Sequence, residues 1–384
     1  CHHKEGGGVL ARWFEMLVHE KVTNHVFLDS DWLEDLENIF DLVKEDSASV
    51  VVLLTRNTLE RMWCAGEIVS ATIHKVRIIP VATEAFEEIT SSFLDGLHNV
   101  WTSEQVSRLD DAGIVLEDIR SAYANLSKEN KLRLVRRSAV AEHRRLVEGA
   151  VKMCAEYART KARWLPAGQV KADGVVPPVL LCGTVEDGEA VLSLRILQNM
   201  MHSMVEAEVG LLWDVTMDGI EAAVRGCVVA GILLTNEILT DCGLASAVAR
   251  LINEGGASVV TVLPEAGFAF PGPDFVARIQ AGEGNFVVNL NGKAPFSEFK
   301  ATAEELATAY FKVFSILALP YSPRAGAAKI EIEVRELARR VKKLMGDTPA
   351  GAAPVAASPT SFAPVAPEPV NPAPPAADIP GTLP

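Results

Sequence analysis

Short, uninterrupted apolar runs alternate with longer stretches whose apolar residues recur at helical spacing. The spacing predicts a strand at Val26–Leu28, a helix over Leu33–Lys44, a strand at Val50–Leu54, a helix over Trp63–His74 and a strand at Val76–Val81. Such alternation implies an α/β fold with a parallel sheet covered by helices on both faces. Further on, Ser103–Leu126 and Lys128–Trp164 carry helical patterns, and Pro178-Val179-Leu180-Leu181-Cys182 is strand-like. The longest apolar runs are strand-sized, so no membrane span is expected.

The pattern repeats. Val50-Val51-Val52-Leu53-Leu54-Thr55 is echoed by Ala230-Gly231-Ile232-Leu233-Leu234-Thr235, and Leu59 by Leu239. Upstream, Phe27-Leu28-Asp29 resembles Leu212-Trp213-Asp214, and Cys1 through Leu10 resembles Cys182 through Leu192. Downstream, Ile78-Ile79-Pro80 resembles Val262-Leu263-Pro264. Two copies of one flavodoxin-like unit are the economical reading. The second copy opens with a strand before its cysteine, whereas the first begins at the matching cysteine, so a fragment or mis-started chain lacking its first, central strand is expected. The second unit should therefore be the better formed.

These blocks divide the chain into a first unit at 1–101, a helical connector at 102–172, a degenerate second unit at 173–320, a C-terminal helix at 321–346 and a disordered Pro/Ala-rich tail at 347–384. Eleven of the 21 prolines lie between Pro349 and Pro384, a composition that builds no core. The connector is basic: from Lys128 to Arg163 it has eleven Lys/Arg against four Glu, interleaved with apolar residues. It reads either as a joining helix laid against acidic units or as an anion-binding amphipathic helix.

Overall the 384 residues carry a formal net charge of −14, which disfavours nucleic acid and anionic lipid as partners. The six cysteines lack close paired spacings, so reduced thiols and no metal centre are expected, Cys1-His2-His3 included, because adjacent residues do not easily converge on one ion. With no secretory pattern at the start, the expected location is the cytoplasm.

Candidate chemistry lies in Trp63-Cys64-Ala65-Gly66-Glu67-Ile68-Val69-Ser70-Ala71, where Trp63 and Glu67 are one helical turn apart. A ring can stack on a heterocycle while a carboxylate engages a sugar or a developing positive charge. Equally, Glu67 reads as a surface carboxylate, and Trp63 and Cys64 as packing residues. One geometric condition separates the readings. An unbroken helix from Asn57 would hold Glu67 about 15 Å from the end of its strand, so a shared pocket needs irregular chain before Trp63.

Taken together, Asp29-Ser30-Asp31, Leu53-Leu54-Thr55, Trp63-x-x-x-Glu67-Ile68-Val69-x-Ala71 and Ile78-Ile79-Pro80-Val81 resemble the Toll/interleukin-1 receptor (TIR) domain, over about residues 1–101 and, degraded, from 177 to about 318. The resemblance implies five-stranded flavodoxin-like units. In members that cleave NAD it implies a glutamate that breaks the nicotinamide–ribose bond, matched here by Glu67. NAD is then substrate, and no cofactor is required. Ligands of such sheets sit outside the carboxyl ends of the strands, which nominates the loops Cys1–Gly8, Asp29–Asp31 and Thr55–Met62; Asp29, Asp31, Lys4, Gly7 and Gly8 from these, with Trp63 as the stacking ring, are the candidates for substrate binding. Asp29 and Asp31 read alternatively as helix caps, and Gly6-Gly7-Gly8 as a flexible entry to a helix from Val9. Other members act without catalysis, assembling through TIR–TIR contacts, and that alternative stands beside the first. In the second copy Gly243 and Ala247 replace Trp63 and Glu67, so the copy is expected to be inert.

Overall fold

A run such as Val50–Leu54 has no polar face, so as a strand it is stable only when covered on both sides. In the computed structural model it is so covered. The described residues are 1–22, 25–32, 38–157, 176–212, 216–239, 241–265, 267–281 and 301–347. The first unit comprises α1 (Lys4–His19), α2 (Asp29–Trp32), α3 (Ile39–Glu45), β1 (Ser49–Leu54), α4 (Met62–Ile73), β2 (Arg77–Thr83), α5 (Ser91–Asp95), α6 (Ser103–Asp111), α7 (Leu116–Lys128), β3 (Leu132–Leu134) and α8 (Val140–Tyr157). The second comprises β4 (Val179–Cys182), α9 (Gly188–Met204), β5 (Val209–Leu211), α10 (Met217–Gly226), β6 (Val229–Leu233), α11 (Cys242–Asn253), β7 (Ser258–Pro264), α12 (Phe275–Gln280), α13 (Ala303–Phe314), β8 (Leu319–Tyr321) and α14 (Ala327–Asp347).

The protein is therefore α/β with two all-parallel sheets, one of three strands in the order β1-β2-β3 and one of five in the order β5-β4-β6-β7-β8. By position, β1, β2 and β3 correspond to β6, β7 and β8. Residues 1–349 form one compact unit in which the sheets share a core. One apolar cluster joins Leu53, Ile79 and Val81 of the first sheet to Leu181, Val229 and Val260 of the second, with α1, α8, α9 and α14 packed among them. The outer faces are covered separately, by α3, α4 and α7 on the first sheet and by α10, α11 and α13 on the second. Each fully buried aliphatic side chain in these layers contributes roughly 1.5–3 kcal/mol.

Several expected elements differ. Val26–Leu28 is not a strand: in the second unit β5 pairs with β4, whereas among the described residues of the first only Cys1 bonds to the corresponding side of β1, which gives this segment no strand to pair with. Ser103–Leu126 is two helices, α6 and α7, parted where Gly113 takes φ +75°. Lys128–Trp164 is not one helix either, because Leu132–Leu134 pairs with β2 as the sheet's edge. The segment expected as a connector thus supplies β3 and the helices α6 to α8 of the first unit. Its basic residues meet acidic ones, Arg136 with Glu84, Arg137 with Glu186 and Arg144 with Glu20, while Val147 and Val151 are core. The rest of the connector from residue 158 to 172, part of Leu33–Lys44 and the tail after Asp347 lie outside the described residues. Among the described residues no helix is long and apolar enough to cross a membrane.

Candidate functional site

The chain leaves β1 through a tight threonine turn. The Thr58 hydroxyl donates to the Leu53 carbonyl (2.9 Å) and accepts from the Thr55 N–H (2.9 Å). A single 3-10 turn follows at Thr58–Glu60, and Arg61 is extended at φ −90°, ψ 123° before α4 begins. Buried side chains hold this turn: Tyr123 Oη donates to the Leu59 carbonyl (2.8 Å) and Trp101 Nε1 to the Glu60 carbonyl (2.8 Å). The break at Arg61 meets the geometric condition set by the sequence. Glu67, five residues into α4, then lies level with the Cys1 backbone, which bonds to Val51 and Leu53 of β1.

There Glu67 is 7% exposed, with Oε2 3.6 Å from the Cys1 amino nitrogen. Burial raises its pKa, the Cys1 amino group opposes that rise and Asp29 adds to it. Asp29 pairs in turn with Lys4 Nζ at 3.7 Å, and His2 Nε2 lies at the same distance from it. Burial drives the His2 pKa down to about 4, against the pull of Asp29. The Cys64 thiol donates to the His2 carbonyl (3.4 Å), the Cys1 thiol lies 3.9 Å from the Cys64 carbonyl, and burial pushes the Cys64 pKa up.

Cys1 Sγ, Cys64 Sγ and a Glu67 oxygen all lie within 4.8 Å of one another. Two sulfurs and a carboxylate are a donor set that could hold a soft divalent cation once the thiols lose their protons. That grouping differs from the Cys1-His2-His3 triplet considered from sequence.

A cavity of about 710 Å³ opens beside the cluster, with Glu67, Cys1 and His2 at one end and mainly apolar walls from α1, α3, β1 and α8. Of the expected site residues, Glu67, Asp29 and Lys4 come together. The others do not. Trp63 packs on Phe40 of α3, with ring centroids 5.5 Å apart, and does not line the cavity. Asp31 accepts from Arg12 Nη1 (2.7 Å) and from the Ala327 N–H at the start of α14 (2.7 Å), a structural post. Gly7 and Gly8 lie inside α1, not in an entry loop. A Cβ on Gly8 would sit 3.2 Å from the Arg324 side chain, and one on Gly7 3.3 Å from Thr55.

His2 is the site residue that sequence reasoning missed; only its place two residues before Lys4 hinted at a role beside Asp29. In the second unit the position of Glu67 is filled by Ala247, fully buried on α11. Comparison with models of protein families, with curated proteins and with solved structures finds no match for this chain.

Proposed function

We propose that the chain is a tandem TIR-like protein whose first unit hydrolyses NAD at the nicotinamide–ribose bond and whose second unit is a non-catalytic partner. The observation that carries this reading is the placement of Glu67: a buried carboxylate beside the edge of a parallel sheet, level with the Cys1 pairing to β1, with Asp29 among the charges that act on it. Nicotinamide leaves with the bonding electron pair, positive charge develops on the ribose, and ionised Glu67 stabilises that charge. Water then adds to the ribose carbon and loses a proton, giving ADP-ribose. Burial serves the step because a charge in a poorly screened site acts strongly on its neighbour.

Lys4, 56% exposed on its side chain and paired with Asp29, supplies a positive charge that suits a phosphate. The test is nicotinamide release from NAD by the chain and by Glu67→Ala. Equal rates would end the catalytic reading.

A second reading, a non-enzymatic scaffold assembling through TIR-like surfaces, is favoured by Trp63, whose ring is engaged by Phe40 and offers no stacking platform in the cavity. No release by either protein, with concentration-dependent self-association, would support it.

A further inference from the structure

Cys64 and Glu67 are one helical turn apart on α4, so their side chains leave the same face of the helix. Cys1 meets them from β1, to which its backbone is fixed: its nitrogen donates to the Val51 carbonyl (2.9 Å) and its carbonyl accepts from the Leu53 N–H (3.0 Å). Cys1 Sγ, Cys64 Sγ and a Glu67 oxygen thereby fall within 4.8 Å of one another. Among the described residues no other three cysteine, histidine or carboxylate donors converge in this way.

At the usual bond lengths, sulfur and oxygen ligands on a tetrahedral zinc ion stand about 3.6–3.8 Å apart, so closing the cluster takes movements of about 1 Å. Little opposes that closure. The Cys64 thiol donates only to the His2 carbonyl (3.4 Å), and the Cys1 thiol lies 3.9 Å from the Cys64 carbonyl. Cys64 is 2% exposed, and its burial, then the Glu67 charge, push the thiol pKa up and keep it protonated. A divalent cation supplies the positive charge that this buried group of donors needs, and the thiol protons leave to solvent as it binds. Two sulfurs select a zinc-like ion over magnesium or calcium, which take oxygen.

We propose that Cys1 Sγ, Cys64 Sγ and the Glu67 carboxylate form a binding site for one zinc-class divalent cation. Cys1 and Glu67 also line the cavity, so water reaches the fourth position. No spacing in the sequence announces the site, because its two cysteines are 63 residues apart. A bound cation takes up the carboxylate that NAD cleavage would use and so inhibits that reaction; this consequence rests on the NAD reading, whereas the site does not.

Cobalt(II) titrated into the full chain, reduced and under argon, reports the site through a sulfur-to-cobalt charge-transfer band. One equivalent should produce the band, and one equivalent of zinc should bleach it. Cys1→Ser, Cys64→Ala and Glu67→Gln should each weaken cobalt binding at least about tenfold, the least that loss of an outer partner of a metal ligand costs. Cys242→Ser, in the second unit, should leave it unchanged. Circular dichroism checks the fold of each variant, and Glu67→Gln, which keeps the shape and changes only the donor, carries the test if Cys64→Ala unfolds. Absence of the band would overturn the proposal. So would binding undiminished in folded Glu67→Gln and Cys64→Ala, which would place the ion on Cys1-His2-His3 instead.

Discussion

Arg12 is the sharpest test of how the first unit is tied to the last helix. It is 4% exposed, and its guanidinium pairs with Asp31, donates to Ser30 Oγ (3.2 Å) and to the Ala325 carbonyl (3.1 Å), and so joins α1 and α2 to the approach of α14. Arg12→Met keeps the stem and removes the charge. Leaving one partner of a buried pair alone costs about 3–5 kcal/mol, and each lost neutral acceptor about 1 kcal/mol. We expect a loss of about 4 kcal/mol, a large part of a typical 5–15 kcal/mol.

Urea unfolding followed by circular dichroism measures it. The pH dependence checks the cause. Burial alone would raise Asp31, but Arg12 and the Ala327 N–H outweigh it and hold the carboxyl below its ordinary value. A depressed folded pKa contributes stability that is present above the unfolded value near 3.9 and lost as pH falls through the folded one. The difference between wild type and Arg12→Met should therefore narrow in acid. A loss under about 1 kcal/mol at neutral pH, or one unchanged in acid, would refute the reasoning.

Three further outcomes follow from the packing. A Cβ at Gly66 would lie 2.2 Å from the Phe40 ring, so Gly66→Ala should destabilise by about 1–2 kcal/mol after its gain in helix propensity; adding Phe40→Leu should relieve it in the same urea assay. Because burial raises the folded pKa of Glu67, its carboxylate weakens the fold progressively as pH rises from the unfolded value, so Glu67→Gln should be more stable than wild type at neutral pH and equal to it below pH about 4 by thermal unfolding. Tyr123 and Tyr310 make matching bonds to the turns after β1 and β6, to the Leu59 and Ile238 carbonyls; Tyr→Phe at either should cost about 1–2 kcal/mol by urea unfolding.

What was legible in the sequence was what local pattern controls. Val50–Leu54 and the strand around Ile78–Val81 show themselves by β-branched, wholly apolar runs, and the repeat shows itself because both units bury the same positions. The β3 strand did not, since Leu132-Arg133-Leu134 is a short edge whose basic residues Lys131 and Arg133 pair with Glu88. Nor did the site's outer members. Asp31 is fixed by Arg12 and Ala327 and Gly8 by Arg324, partners supplied by remote parts of the chain. Glu67 was legible as a candidate, but its burial depends on the break at Arg61, which Tyr123 and Trp101 hold from outside the segment.

The central claim is that Glu67 acts on the bond rather than merely shaping the cavity. Single-turnover nicotinamide release with saturating NAD, comparing wild type with Glu67→Gln, tests it most directly when NAD binding is measured in parallel. The account predicts unchanged binding with release lowered at least about a hundredfold, the scale of a lost charge-stabilising group. Equal release by the two proteins would contradict it.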